Sequence, residues 1–214
     1  MLLKLYYHPL SSYCQKVLTA LYENDTPFAP IINVLDDAER AEFVKLWSIG
    51  KFPLLRDEAR DRTIPESTII IEYLAQHYPG RVRLVPDDAE LAWQTRLQDR
   101  FFDLYVQEPM QKIVFDRRRP ADRRDPLGVE QAQARLRTAY DLIEREMAKK
   151  TWAVGDVFTM ADCAAAPALF YANLVLPFGE ERRNVTAYFG RLMERPSFAR
   201  AVAEAKPYFA LFPR

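Results

Sequence analysis

The hydrophobic pattern of the chain changes at Pro79-Gly80, and this change constrains the fold most strongly. Before it, short apolar runs alternate with amphipathic helical segments. After it, no strand pattern occurs, and the apolar residues have helical spacing. The 214 residues therefore divide into a mixed α/β domain and an all-helical domain. We predict the domains at 1–80 and 89–214, with the proline-containing residues 81–88 as the linker.

The predicted elements of the first domain follow the order β-α-β-α-β-β-α. Strands that alternate with helices favour parallel pairing at the centre of a sheet, and two consecutive strands favour an antiparallel hairpin at its edge. The strands are expected at 2–8, 28–35, 52–56 and 62–64, and the helices at 12–23, 37–47 and 66–78.

The second domain begins with a long helical segment at 89–118, which we expect to bend at Pro109. An amphipathic helix is predicted at 128–150. Cys163–Gly179 is the longest uncharged run, but it is too short and too rich in proline for a membrane span, so we predict a buried helix. Shorter helices are expected near 159–172, 180–194 and 196–205.

The composition excludes several classes of function. Lys+Arg 30 balances Asp+Glu 30, so the net charge indicates no nucleic-acid partner. The 6 glycines are too widely spaced for a glycine-rich nucleotide loop. With only His8, His77, Cys14 and Cys163 available, we expect neither a metal site nor a disulfide framework. Two cysteines without a secretory signal are typical of a cytoplasmic protein.

Three local features of the first domain indicate a ligand site. Ser11 lies where the first strand leads into the first helix, and a helix N-terminus offers unpaired N–H groups to an anion. Phe52-Pro53 opens a short strand, a position compatible with a cis bond. Glu66-Ser67 opens the next helix with a polar first turn. Each feature also has an ordinary structural interpretation, as an N-cap, an edge proline and a helix start.

Taken together, these motifs resemble the cytosolic glutathione S-transferase superfamily, and the resemblance covers nearly the whole chain. His8-Pro9-Leu10-Ser11 followed by Lys16-Val17-Leu18 is similar to the serine-type classes, such as phi, theta and zeta. Gly50-Lys51-Phe52-Pro53 resembles the family segment that ends in a cis-proline. Pro65-Glu66-Ser67 resembles the family motif that holds a γ-glutamyl group. In the second domain, Thr159 and Asp162 match the family's capping box, which serves folding.

The resemblance implies a thioredoxin-like N-terminal domain followed by the family's helical C-terminal domain. It implies a cytoplasmic homodimer that takes part in detoxification by joining the glutathione thiolate to a small hydrophobic electrophile. Glutathione would be a cosubstrate, with no other cofactor, no metal, no nucleic acid and no membrane involved. The implied catalytic residue is Ser11, and the implied glutathione-binding residues are Lys51, Phe52, Pro53, Glu66 and Ser67.

Other interpretations of the same residues are open. Tyr7 is placed like the activating hydroxyl of tyrosine-type members, although we favour Ser11. Cys14 would support a thiol oxidoreductase if it were accessible, but its apolar helical neighbours predict a buried cysteine, as does the alanine-rich setting of Cys163. An isomerase or dehalogenase would share the same site. A non-catalytic interaction module would need none of the three motifs.

The position of the second substrate is also predicted. We expect the electrophile between the loop 9–13, the helix near 105–113 and the C-terminal segment 208–212, which carry apolar and aromatic residues. The arginines within 117–124 alternate with aspartates and prolines, so we predict a solvated loop there. If that loop overhung the electrophile, it would favour anionic substrates.

Overall fold

The computed structural model describes residues 2–32 and 37–213. Four strands form one mixed sheet in the order β2-β1-β3-β4. They are β1 (Leu3–Tyr6), β2 (Ala29–Ile31), β3 (Leu54–Asp57) and β4 (Arg62–Pro65), and the helices of this half are α1 (Ser12–Glu23), α2 (Asp37–Leu46) and α3 (Ser67–His77). The predicted order of elements is confirmed. Residues 33–35 of the predicted second strand lie outside the described residues.

The pairing of the strands differs from the prediction in one place. β1 pairs parallel with β2, and β3 forms the expected antiparallel hairpin with β4. β1 also pairs with β3, but in the antiparallel direction. The path of the chain from α2 into β3 determines this direction, and no local pattern in the sequence encodes it.

From Ala89 onward the chain is predominantly helical, as predicted. The helices are α4 (Ala89–Phe101), α5 (Glu108–Arg117), α6 (Pro126–Met147), α7 (Met160–Val175), α8 (Arg183–Glu194) and α9 (Pro196–Ala205), with a 3₁₀ segment at Lys206–Leu211. α7 is buried along most of its length and packs against α1 and α4. Within residues 2–32 and 37–213, no helix is long and apolar enough to cross a bilayer.

A bend is expected at Pro109, and a π-helical turn, Phe102–Gln107, ends two residues before that proline. A proline lacks the N–H of a helical bond, and its ring crowds the carbonyl of the residue four positions earlier, so the preceding turn is widened.

α6 starts before the predicted Gly128. The reason is its cap, because Asp125 Oδ1 accepts the Gly128 N–H at 2.9 Å and Pro126 fits the first helical position.

The predicted capping box at the start of α7 is confirmed. The Asp162 carboxylate accepts the N–H of Thr159 and the N–H of Ala153, each at 2.8 Å, and the hydroxyl of Tyr188 at 2.7 Å. Burial raises the pKa of Asp162 to about 6. This carboxylate therefore fixes the start of α7 and has no free surface for a ligand.

The first half of the segment 81–88 is held by two hydrogen bonds. The Val82 N–H donates to Asn24 Oδ1 at 2.8 Å, beyond the end of α1. The Met160 N–H donates to the Leu84 carbonyl at 2.8 Å, and the Leu84 side chain is buried. These bonds fasten the segment to both α1 and α7.

Candidate functional site

Three segments of the chain meet at one end of the sheet. Tyr6 in β1 lies opposite Leu54 in β3, and Leu54 lies opposite Pro65 in β4. Neighbouring strands are about 4.8 Å apart, so the residues that follow β1, precede β3 and follow β4 are gathered in a small volume. Those residues include all three motifs of the predicted site.

Aromatic contacts tie the first two segments together. The rings of His8 and Phe52 are stacked, with centroids 6.2 Å apart and an angle of 26° between the planes. The ring of Tyr208, from the C-terminal segment, meets His8 edge-on at 5.4 Å. Burial lowers the pKa of His8, so its imidazole is neutral near pH 7.

Ser11 is the N-cap of α1, with extended backbone angles of φ −75° and ψ 120°. Its Oγ accepts the Cys14 N–H at a distance of 3.4 Å. A serine hydroxyl has one proton to donate as well as two lone pairs. Among residues 2–32 and 37–213 no oxygen or nitrogen atom accepts this proton, and the buried Cys14 sulfur lies within its reach. The positive end of α1 therefore presents a half-buried hydroxyl that can turn towards a ligand, an arrangement that favours a nearby anion.

The Phe52–Pro53 peptide bond is cis, as predicted. Pro53 is buried beside β3, Phe52 is half-buried, and the side chain of Lys51 is exposed. Lys51 is therefore accessible to a charged ligand at the rim of the site.

Glu66 has an unusual backbone conformation, with φ 68° and ψ 119°. Such angles cost a residue with a side chain about 1–3 kcal/mol and are concentrated at functional sites. The exposed Glu66 side chain makes no capping hydrogen bond, whereas Ser67 is buried at the first position of α3. The pair thus places an exposed carboxylate and a buried hydroxyl at the N-terminus of α3, at the same end of the sheet as the Ser11 loop.

Comparison with known proteins identifies the family of this chain. The model of the glutathione S-transferase N-terminal domain matches residues 5–82, and that of the C-terminal domain matches residues 126–191. Glutathione S-transferase-like protein LUC7 of Fusarium sp is 31% identical over 172 residues, which cover 79% of this chain and 76% of that relative. The chain belongs to the glutathione S-transferase family of enzymes.

Two further matches cover almost the full length of this glutathione S-transferase family member. Glutathione S-transferase GstB of Escherichia coli K12 is 26% identical over 194 residues, 90% of this chain and 93% of GstB. The crystal structure of a glutathione S-transferase from Methylobacterium radiotolerans in complex with glutathione sulfonate superposes with a TM-score of 0.80. That structure has 26% sequence identity, and the match covers 94% of each chain.

Two rival residues of the predicted glutathione S-transferase site are buried. Tyr7 lies in the main core, where burial raises the pKa of its hydroxyl to about 12. Cys14 has no exposed surface, and burial raises the pKa of its thiol to about 12 although the nearby Ser11 hydroxyl acts in the opposite direction. A buried neutral thiol is typical of a structural cysteine.

The sequence pattern did not predict an ionic cluster that lies beneath the site. The Lys16 ammonium is buried and lies 2.7 Å from Asp99 Oδ1 and 2.8 Å from Asp103 Oδ2. It also donates to Thr68 Oγ1 at 2.9 Å, and Thr68 donates to Asp99 Oδ2 at 2.7 Å. The cluster joins the helix that begins beside Ser11 to the helix that begins with Ser67. The only indication in the sequence was that Lys16 lies among the apolar residues of α1.

A cavity of about 450 Å³ lies beside the C-terminal segment. It overlaps the predicted electrophile site at 208–212. The remainder of its lining differs from the prediction. Arg117 at the end of α5 lines it instead of 105–113, α7 also takes part, and the lining includes no residue of the predicted loop 9–13. The lining residues are Arg117, Phe170, Leu174, Phe209 and Phe212.

Proposed function

We propose that this enzyme binds glutathione, holds its thiol as a thiolate and joins it to a small hydrophobic electrophile. The observation that carries the proposal is the meeting of Ser11, Phe52-Pro53 and Glu66-Ser67 at one end of the sheet. Glutathione sulfonate in the relative from Methylobacterium radiotolerans supports the choice of ligand.

In the proposed mechanism, Ser11 is a hydrogen-bond donor to the glutathione sulfur and not a nucleophile. A free thiol has a pKa near 8.5, so only a few per cent is ionised at pH 7. A hydroxyl donor at the positive end of α1 favours the thiolate, and each unit by which the pKa falls corresponds to about 1.4 kcal/mol. The sulfur then forms a bond to the electrophilic carbon, a leaving group departs with its electron pair, and the thiol proton passes to solvent.

The remaining site residues hold the tripeptide in this proposal. The backbone of Phe52, next to Pro53, pairs with the cysteinyl unit, and Lys51 lies near a charged end of the peptide. Glu66 and Ser67 hold the amine and carboxylate of the γ-glutamyl unit. The backbone conformation of Glu66 supports this role, because strained residues are retained where a ligand requires their geometry.

We further propose that the enzyme is a homodimer. Ile69 on α3 is exposed, as are Trp93 and Leu97 on α4 and Leu104 on the π turn. An ion pair between Arg96 on α4 and Glu72 on α3, with 2.7 Å between Nε and Oε1, links the two helices. An exposed apolar surface of this kind is typical of a subunit interface.

Two buried free cysteines support a reducing cytoplasmic location.

The binding role of the γ-glutamyl pair can be tested with Glu66→Ala and Ser67→Ala. Each substitution removes a hydrogen bond to a charged group, so we expect the apparent constant for glutathione to rise about tenfold. Turnover at saturating glutathione is expected to change less, because these groups act far from the sulfur. The matched control is Glu130→Ala on the exposed surface of α6.

Two outcomes would contradict parts of the proposal. An unchanged glutathione affinity in both variants would show that the tripeptide lies elsewhere. A wild-type protein that is neither retained on immobilised glutathione nor stabilised by millimolar glutathione would be a non-catalytic module. If glutathione binds, a panel of electrophiles that includes isomerase and dehalogenase substrates identifies the reaction.

A further inference from the structure

We infer that the electrophile site selects aromatic or aliphatic compounds that carry an anionic group, and that Arg117 binds this group. The inference rests on the proposed glutathione transfer and assigns the class of the second substrate. It starts from the cavity of about 450 Å³ at the C-terminal segment.

Two series of side-chain contacts link residues that line the cavity to the segment His8–Ser11. Phe209 lines the cavity, and its neighbour Tyr208 contacts the ring of His8. Phe212 also lines the cavity and stacks on Tyr171, with ring centroids 5.5 Å apart. The Tyr171 hydroxyl accepts a hydrogen bond from Gln15 Nε2 at 2.9 Å, and this nitrogen also donates to the Pro9 carbonyl at 2.8 Å. One wall of the cavity is therefore attached to the loop that ends at Ser11.

The lining of the cavity is apolar except for one cation. Phe170, Leu174, Phe209 and Phe212 present aromatic and aliphatic surface, and Phe170 packs edge-on against Phe209 with centroids 5.9 Å apart. A volume of this size suits a small organic molecule. The aromatic walls thus favour an apolar body, and Arg117 supplies the polar group that orients it.

Arg117 is available for a ligand. It is half-buried at the end of α5 and forms no hydrogen bond or ion pair within the part of the chain that the structure describes. The adjacent Asp116 pairs with other residues and not with Arg117. Its Oδ1 accepts the Asp125 N–H at 2.8 Å and lies 3.6 Å from Arg119. An unpaired guanidinium at the edge of an aromatic cavity fits a carboxylate, which it can bind through two parallel hydrogen bonds.

The remaining arginines of this loop differ from Arg117. Arg118, Arg119, Arg123 and Arg124 are exposed, as the sequence predicted for a solvated loop. They do not line the cavity. Arg118 is therefore a matched control, because its loss changes the net charge equally at a neighbouring position without changing the cavity lining.

The test compares a pair of electrophiles, 4-chloro-3,5-dinitrobenzoate and the corresponding benzamide. In both, glutathione sulfur displaces chloride from the ring, so a carbon–sulfur bond replaces the carbon–chlorine bond. For each compound, we divide the wild-type kcat/KM by the rate constant of its uncatalysed reaction with glutathione. We expect this ratio to be higher for the benzoate. Arg117→Gln should lower kcat/KM for the benzoate about tenfold and leave the benzamide within about twofold. Arg117→Lys should retain part of the preference, and Arg118→Gln should retain all of it.

A binding experiment separates this inference from the proposed function. 3,5-Dinitrobenzoate and 3,5-dinitrobenzamide lack the leaving group, so calorimetry measures their affinity without reaction. Tighter binding of the benzoate that is lost in Arg117→Gln supports the site even if no glutathione conjugate forms. Equal affinity for both compounds in the wild type, or an equal loss in Arg117→Gln and Arg118→Gln, would overturn the inference.

Discussion

Ser11 and Cys14 lie three residues apart at the start of α1 but differ in accessibility. The Ser11 hydroxyl is half-buried at the end of the sheet, and no oxygen or nitrogen atom of the described residues accepts its proton. The Cys14 thiol faces the core and has no exposed surface. The same first turn therefore supplies a polar group to the site and an apolar group to the core.

The burial of both cysteines predicts an unreactive native protein. Burial raises the pKa of the Cys14 thiol to about 12 and that of Cys163 well above its ordinary value, so both stay protonated near neutral pH. A chromogenic disulfide reagent at pH 8 is expected to detect no thiol in the folded protein and 2 cysteines after unfolding in urea. A rapidly reacting native thiol that Cys14→Ala removes would instead support a thiol oxidoreductase.

At the scale of elements, the Lys16 cluster fixes α1 against α3 and α4. Lys16 is the cation shared by two buried carboxylates, Asp99 and Asp103, and it also binds the Thr68 hydroxyl. Because Ser11 precedes α1 and Ser67 opens α3, this cluster positions the two helix starts that form the site.

Removing the cation should destabilise the fold strongly. Lys16→Met leaves the buried Asp99 carboxylate without its cation and leaves Asp103 only the exposed Arg100, which costs about 3–5 kcal/mol. Urea unfolding measures this loss. The control is Lys112→Met, which removes a partly exposed pair with Asp125 and should cost about 1 kcal/mol or less.

The loss in Lys16→Met should also depend on pH. Burial raises the pKa of Asp99 in the native state, and without Lys16 it rises further, whereas the unfolded chain ionises near pH 4. The native state then holds more protons than the unfolded state, so the stability of the variant relative to wild type falls as the pH rises from about 4 towards 8. A difference that stays constant between pH 5 and pH 8 would contradict this account of the cluster.

The elements that the sequence predicts well are those with local signals. The apolar spacing of α1, the Thr159–Asp162 cap and the motifs at Phe52-Pro53 and Glu66-Ser67 all lie within a few neighbouring residues. The antiparallel pairing of β1 with β3 and the Lys16 cluster depend on residues that are distant in the chain. Their partners are determined by tertiary packing, so no short window of sequence contains them.

At the scale of the whole molecule, the exposed apolar residues of α3 and α4 predict self-association. Leu97→Glu places a charge in the proposed interface, where burying it without a partner is costly, and should yield a monomer in sedimentation analysis. Leu127 is also exposed but lies at the start of α6, so Leu127→Glu should remain dimeric. A wild-type monomer, or identical behaviour of both variants, would contradict the proposed interface.

The thiolate titration of bound glutathione tests whether Ser11 activates the thiol. In the wild-type complex at saturating glutathione, ultraviolet absorbance of the thiolate should titrate below the pH of free glutathione. Ser11→Ala removes the donor to the charged form and should raise that apparent pKa by about one unit, with a loss of turnover that shrinks at high pH. Tyr7→Phe should leave the titration unchanged. If Tyr7→Phe raises the pKa of the bound thiol and Ser11→Ala does not, the assignment of Ser11 is wrong.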